Sequence, residues 1–145
     1  MGYDMRLVKT YNHCDFCKRH DEDWLESYWY MSYNHGWAFY KWLDDEKGIR
    51  WIYGKPMEEV CKRLNTVIDK LIIANNNVVP EHELDPNSGE ILWKEDEGTV
   101  LTIDGEQKRD DGWAKTMFNA FRCATELLQI SSNYIGVENV HWSGD

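Results

Sequence analysis

No stretch of this chain runs to eighteen apolar residues, so none is long enough to cross a bilayer as a helix. The opening Met1-Gly2-Tyr3-Asp4-Met5-Arg6 lacks the apolar segment of a secretory signal, and Arg6 stands where a myristoylation signal needs Ser or Thr. A soluble, cytoplasmic protein is expected. Positive charge is also scarce: 16 Lys and Arg against 26 Asp and Glu leave a net charge of −10. Bare nucleic acid is therefore a disfavoured partner, because phosphates are held by clustered cations. Cysteine is sparse too, and the 4 present fit free thiols or metal ligands better than a disulfide framework. Catalytic signatures are missing: there is no Gly-X-Ser-X-Gly, His-Glu-X-X-His, Walker sequence or Gly-X-Gly-X-X-Gly. Carboxylates abound, but none is spaced to imply an acid/base pair, and no enzymatic activity is assigned.

What the chain has in excess is aromatic bulk. Between Trp24 and Tyr53 stand Trp24, Tyr28, Trp29, Tyr30, Tyr33, Trp37, Phe39, Tyr40, Trp42, Trp51 and Tyr53, over half of the chain's aromatic residues. Each such side chain buries roughly 150–250 Å², so the block either forms much of the core or lines a recognition surface. The polar tips of Tyr and Trp favour the second use as strongly as their rings favour the first. The other excess is acid. Glu81 to Glu97 holds seven acidic residues and one lysine, with a further group at Asp104, Glu106, Asp110 and Asp111. The bland explanation is a solvated face that confers solubility. The sharper one is a face that imitates nucleic acid and docks on a basic protein groove.

At 145 residues a single domain with its own core is expected. Periodicity points to α+β, a small antiparallel sheet with two long amphipathic helices packed on it. Tyr3–Lys9 alternates as a strand, and Glu26–Tyr33, apolar on both faces, suggests an interior strand. Asn34-His35-Gly36 breaks it, and a short buried helix is expected over Trp37–Asp45. Pro56 suits a first helical turn, and Met57, Val60, Cys61, Leu64, Val67, Ile68 and Leu71 then recur at helical spacing up to the Asn75-Asn76-Asn77 run. A second helix begins near Asp111, its stripe running from Trp113 to Leu128. Between the helices, Glu90–Glu95 and Thr99–Asp104 suggest a hairpin turning near Asp96-Glu97-Gly98, with another tight turn at Asp104-Gly105. Val137–Trp142 fits a final strand.

Several of these pieces resemble, in order, small proteins encoded by tailed bacteriophages. They are the Gly2-Tyr3-Asp4-Met5 opening, Tyr33-Asn34, Phe39-Tyr40, the turn Gly48-Ile49-Arg50-Trp51-Ile52-Tyr53-Gly54, the helix segment Asn119-Ala120 with Arg122, Leu127 and Leu128, and the tail Trp142-Ser143-Gly144-Asp145. Together they span roughly two-thirds of the chain. That family is functionally uncharacterised, so the resemblance implies a viral source and not a mechanism. The chain departs from the pattern at the Cys14/Cys17 loop and in the acidic segment, two places where function can differ.

Candidate chemistry is limited to two clusters. Cys14 and Cys17 have the spacing of a zinc knuckle and His20 follows three residues later, but a second pair is missing. Free thiols in a polar loop are the preferred reading, with zinc held by Cys14, Cys17, His20 and one distant ligand as the alternative; no other cofactor is implied. The second cluster is polar and sits in the aromatic block: Asn34, His35, Arg50 and Tyr53, joined by Lys115, Thr116 and Asn119 from the last helix. Arg50 lies among Ile49, Trp51 and Ile52, so its guanidinium is either paired internally or aimed at an anionic ligand.

Two functions of different class follow. In the first, the chain is a phage-encoded accessory protein that inhibits or modulates a host protein, such as a defence factor or nuclease, in the cytoplasm of the infected bacterium. Its acidic residues Glu90, Glu95, Asp96 and Glu97 would meet a basic surface, and Tyr33 and Trp37 would anchor it. In the second, it sequesters a nucleotide-like ligand in an aromatic-lined pocket at Asn34, Arg50, Tyr53 and Asn119.

Overall fold

The computed structural model describes residues 2–10, 22–31, 33–74, 82–88, 91–93, 101–103, 106–108 and 111–144, excepting the side chains of 34, 82, 92–93, 101–103, 106–108 and 111–118. The strand with the strongest apolar signal sits in the middle of the sheet. That is β1, Met5–Thr10, in which Met5, Leu7 and Val8 are all buried. It pairs antiparallel with β2, Glu22–Tyr28, on one side and with β7, Val140–Gly144, on the other. Leu7 faces Glu26 and Val8 faces Trp24, so Leu25 is the extra residue of a bulge.

Helix α2, Met57–Ala74, and helix α3, Asp111–Ser132, pack on each other and share one core with the sheet. Met5, Leu7, Tyr28 and Trp142 come from the strands, Val60, Leu64 and Val67 from α2, and Phe121, Ala124 and Leu127 from α3. The Pro56 carbonyl accepts the first helical hydrogen bond from Val60 N–H at 3.1 Å, and Glu58 and Glu59 place negative charge at the helix start. The fold is α+β, as the periodicity predicts: a three-stranded antiparallel sheet with two long helices.

A 3-10 turn at Tyr33–Gly36 leads into α1, Trp37–Trp42, which buries Ala38 and Phe39 while Tyr40 and Lys41 stay exposed. A second 3-10 turn, Gly48–Ile52, buries Ile49 and Ile52 and hands the chain to α2 through Tyr53, which bridges Trp142 in parallel. Two small hairpins lie between the long helices: β3, His82–Leu84, with β4, Ile91–Trp93, and β5, Leu101–Ile103, with β6, Glu106–Lys108.

Two expectations change. The second strand is not interior and does not reach Tyr33; it begins at Glu22, ends at Tyr28 and lies at the sheet edge. The bulk that suggested two covered faces belongs to Trp29 and Tyr30, beyond the strand, where both rings face solvent. The expected pairing of Glu90–Glu95 with Thr99–Asp104 is replaced as well. Ile91–Trp93 pairs backwards with His82–Leu84, and Leu101–Ile103 pairs forwards across Asp104-Gly105. The Asp85 side chain opens the β3–β4 connection, where its Oδ1 accepts Asn87 N–H at 2.8 Å, and the turn expected at Asp96-Glu97-Gly98 lies outside the described residues.

The tail residue Trp142 is fully buried, and its indole N–H donates to Ser131 Oγ at 2.9 Å. Ser131 in turn donates to the Leu127 carbonyl at 2.7 Å, fastening β7 to the end of α3. Gly144 pairs with Met5 at φ +152°, and a Cβ there would lie 2.1 Å from the Asp4 carbonyl oxygen. Only glycine lets this strand close on β1.

Candidate functional site

The aromatic block is divided between core and surface. Tyr28 and Phe39 are buried, and Trp37, Trp42, Trp51 and Tyr53 are half-buried against the core. The remaining five are exposed: Trp24 at 66 %, Trp29 at 63 %, Tyr30 at 61 %, Tyr33 at 45 % and Tyr40 at 37 %. The three most exposed stand in one stretch, on β2 and immediately after it, together with exposed Glu22, Asp23 and Glu26.

This stretch is rigidly seated. Tyr28 O–H donates to Glu126 Oε1 at 2.9 Å, and the same oxygen accepts Arg122 Nε–H at 3.3 Å. Burial, with Cys123 and Glu126 beside it, pushes the Tyr28 phenol far above its usual range, so it remains a donor at any ordinary pH. Cys123 is likewise pushed up to about 12, chiefly by burial. Glu26 accepts a 3.3 Å hydrogen bond from Tyr134 O–H. From this fixed strand end Trp29 and Tyr30 project outward with ring centroids 6.1 Å apart, and Tyr30 meets Tyr28 edge-to-face at 5.6 Å. On the strand itself the Arg6 guanidinium lies 4.8 Å above the Trp24 ring, a cation–π contact that holds the indole in place.

A second cluster adjoins it through the backbone, where Tyr3 N–H donates to the Met31 carbonyl at 3.0 Å. The buried Tyr3 ring meets Tyr33 edge-to-face at 4.9 Å, and the Arg50 guanidinium lies 4.8 Å above it. Tyr3 also shares a side-chain hydrogen bond with Tyr40. Burial and then the Tyr40 hydrogen bond push the Tyr3 phenol up to about 12, against the lowering pull of Arg50. Room for these rings depends on glycine: a Cβ at Gly36 would fall 2.8 Å from the Tyr3 hydroxyl, and one at Gly48 2.9 Å from the Tyr40 ring.

The structure thus brings Tyr33, expected as a partner anchor, next to Arg50, expected as a ligand contact, with Tyr3 between them. Trp37 packs on the core and on Trp42, ring centroids 5.5 Å apart. Tyr53 joins the backbone of Trp142, and Asn119 is half-buried on α3, which packs against the turn carrying Tyr33. His35 is half-buried, and burial lowers its pKa. The side chains of Asn34, Lys115 and Thr116, and residues Glu90, Glu95, Asp96, Glu97, Cys14, Cys17 and His20, lie outside the described residues. Among the described residues no group of three His, Cys, Asp or Glu is placed to hold a metal ion, and Cys61 and Cys123 are buried free thiols.

An open groove of about 360 Å³ runs between Gly54–Glu58 and Gly136–His141. Its walls include neither Arg50 nor Tyr53 nor Asn119, so it is not the aromatic-lined pocket expected from sequence. The sequence reading also missed the site at Trp24, Trp29 and Tyr30 by placing its end in an interior strand. The available signal was Glu22-Asp23-Trp24-Leu25-Glu26, in which acids flank a tryptophan on both sides. That pattern suits an exposed edge and not a covered strand. Comparison with protein-family models, curated proteins and solved structures found no match.

Proposed function

We propose that this chain is an accessory protein of a tailed bacteriophage that binds a host protein with a basic surface, a defence factor or nuclease, and inhibits or modulates it. The observation that carries the reading is the exposure of Trp24, Trp29 and Tyr30 beside Glu22, Asp23 and Glu26. Aromatic side chains dominate interface hot spots, whereas rim charges steer encounter and select the partner's sign. The Trp24 ring, which carries the Arg6 guanidinium over its face, loses less freedom on docking than an unsupported ring, which favours affinity. The surplus of negative charge over the whole chain acts in the same direction by attracting a basic partner at long range.

A second reading, sequestration of a nucleotide-like ligand, is favoured by Arg50 lying over Tyr3 beside Tyr33 and Tyr40. Affinity capture from a bacterial lysate, with mass analysis of retained proteins and small molecules, separates the two. The docking reading expects a retained basic protein, released as salt rises because its encounter is charge-led. A retained small molecule without a protein would contradict it.

A further inference from the structure

Strand β2 is an edge of the sheet: β1 pairs with one side of it, and among the described residues no strand pairs with the other. Of its seven residues only Leu25 and Tyr28 are shielded; Glu22, Asp23, Trp24, Glu26 and Ser27 are exposed. We infer that this edge receives an extended segment of the partner bearing lysine or arginine, which adds to the sheet as a fourth strand beside β2. The inference rests on the reading of the chain as a protein-binding module and specifies how that binding is made.

An uncovered strand offers a row of backbone donors and acceptors that any extended chain can pair with, and proteins commonly blunt such edges with charge. Here the charge has one sign. Glu22, Asp23 and Glu26 are the only ionisable groups of β2 apart from the buried phenol of Tyr28, and of the neighbouring cations on β1 Lys9 stands opposite Asp23 and Arg6 opposite Ser27. Opposite charges facing each other across a strand pair stabilise it and like charges destabilise it. A second copy of this chain, pairing β2 with β2, would bring six carboxylates into one ladder with no cation from either strand. A segment with alternating cations sets them on one face, either that of Asp23 and Glu26 or that of Glu22 and Trp24. The same charges that disfavour pairing of β2 with a second β2 favour a basic strand.

Side-chain anchors fit this mode. The bulge at Leu25 turns the strand locally and sets Trp24 outward, with Arg6 over its ring and two-thirds of the residue still exposed. The indole edge can cover the aliphatic stem of an incoming Lys or Arg. Trp29 and Tyr30 continue the line just past the strand end.

The test uses the full chain and three peptides of matched length: alternating Lys and Thr, alternating Glu and Thr, and the Lys–Thr peptide methylated on alternate backbone nitrogens. Binding is read by calorimetry at low salt, and the docking place by backbone hydrogen exchange. The Lys–Thr peptide is expected to protect amides of β2 and to bind at least about tenfold tighter than either control, a gap of about 1.4 kcal/mol. Equal binding of the methylated and unmethylated peptides, both weakened by Trp24→Ala, would overturn strand addition while leaving the docking surface in place. No protection in β2 and no effect of Trp24→Ala would overturn the docking reading as well.

Discussion

Replacing Trp142 with Phe tests how the C-terminal strand is held. Trp142 has no exposed surface, and its indole N–H donates to Ser131 Oγ at 2.9 Å, whose own proton is committed to the Leu127 carbonyl at 2.7 Å. Trp142→Phe keeps an aromatic ring but removes buried carbon, at about 0.8 kcal/mol per methylene equivalent, and one hydrogen bond worth about 1 kcal/mol. A total loss of roughly 2–3 kcal/mol is expected. Ser131→Ala does different damage. It leaves the indole N–H buried without an acceptor, which costs about 1–3 kcal/mol. Once Phe is present that orphaned donor no longer exists, so the double variant should be less destabilised than the sum of the singles by about 1 kcal/mol. Equilibrium urea unfolding followed by circular dichroism gives all four stabilities, with an unchanged m-value required for the comparison. Additive losses would refute the claim that the Trp142–Ser131 hydrogen bond links β7 to α3.

Leu64→Ala and Phe121→Ala should each cost roughly 2–5 kcal/mol, because both side chains are buried in the core shared by the helices and the sheet; unchanged melting of both would contradict that packing. Gly144→Ala should cost more than Gly54→Ala by thermal melting. At Gly54 only the backbone strain of φ +74° is added, about 1 kcal/mol, whereas at Gly144 a Cβ also strikes the Asp4 carbonyl at 2.1 Å. Stability should fall once pH rises past about 9. In the unfolded chain Cys123 and Tyr3 ionise near their ordinary 9.0 and 10.0, but in the fold both are held up to about 12, chiefly by burial. The unfolded state therefore releases protons first and gains as pH rises. A urea midpoint that climbs through the same range would contradict this.

Both long helices were legible in the sequence because an apolar stripe at helical spacing has one physical solution, burial of that stripe. The stripe through Val60, Leu64 and Val67 is the buried face of α2, and Phe121, Ala124 and Leu127 are that of α3. The strands were less legible. Aromatic bulk at Trp29 and Tyr30 looks the same whether rings are covered by other layers or left exposed, and only the edge position of β2 separates the cases. The hairpin pairings were less legible because the β3–β4 connection is opened by the Asp85 side chain, whose Oδ1 accepts from Asn87 and Ser88 N–H, and such a bond is not displayed by residue spacing. At the site, Tyr33 and Arg50 were both singled out from sequence, but their meeting was not. It is made by Tyr3, a residue far away in the chain that reaches them only because β1 is the central strand. The Gly-Ile-Arg-Trp-Ile-Tyr-Gly turn and the tail also acquire a physical basis. Ile49 and Ile52 are fully buried, Gly48 and Gly54 adopt positive φ, and Trp142 and Gly144 seal β7 onto the sheet.

The most direct measurement of the docking surface compares lysate capture by the original chain with capture by a Trp24→Ala, Trp29→Ala, Tyr30→Ala variant. All three residues are more than half exposed, so the variant should keep the original melting temperature within a few degrees. Quantitative mass analysis of the two captures should then show a basic bacterial protein retained by the original chain and lost, by about tenfold or more, from the variant. Retention of the same protein at the same level by a fully folded variant would contradict the assignment of this surface.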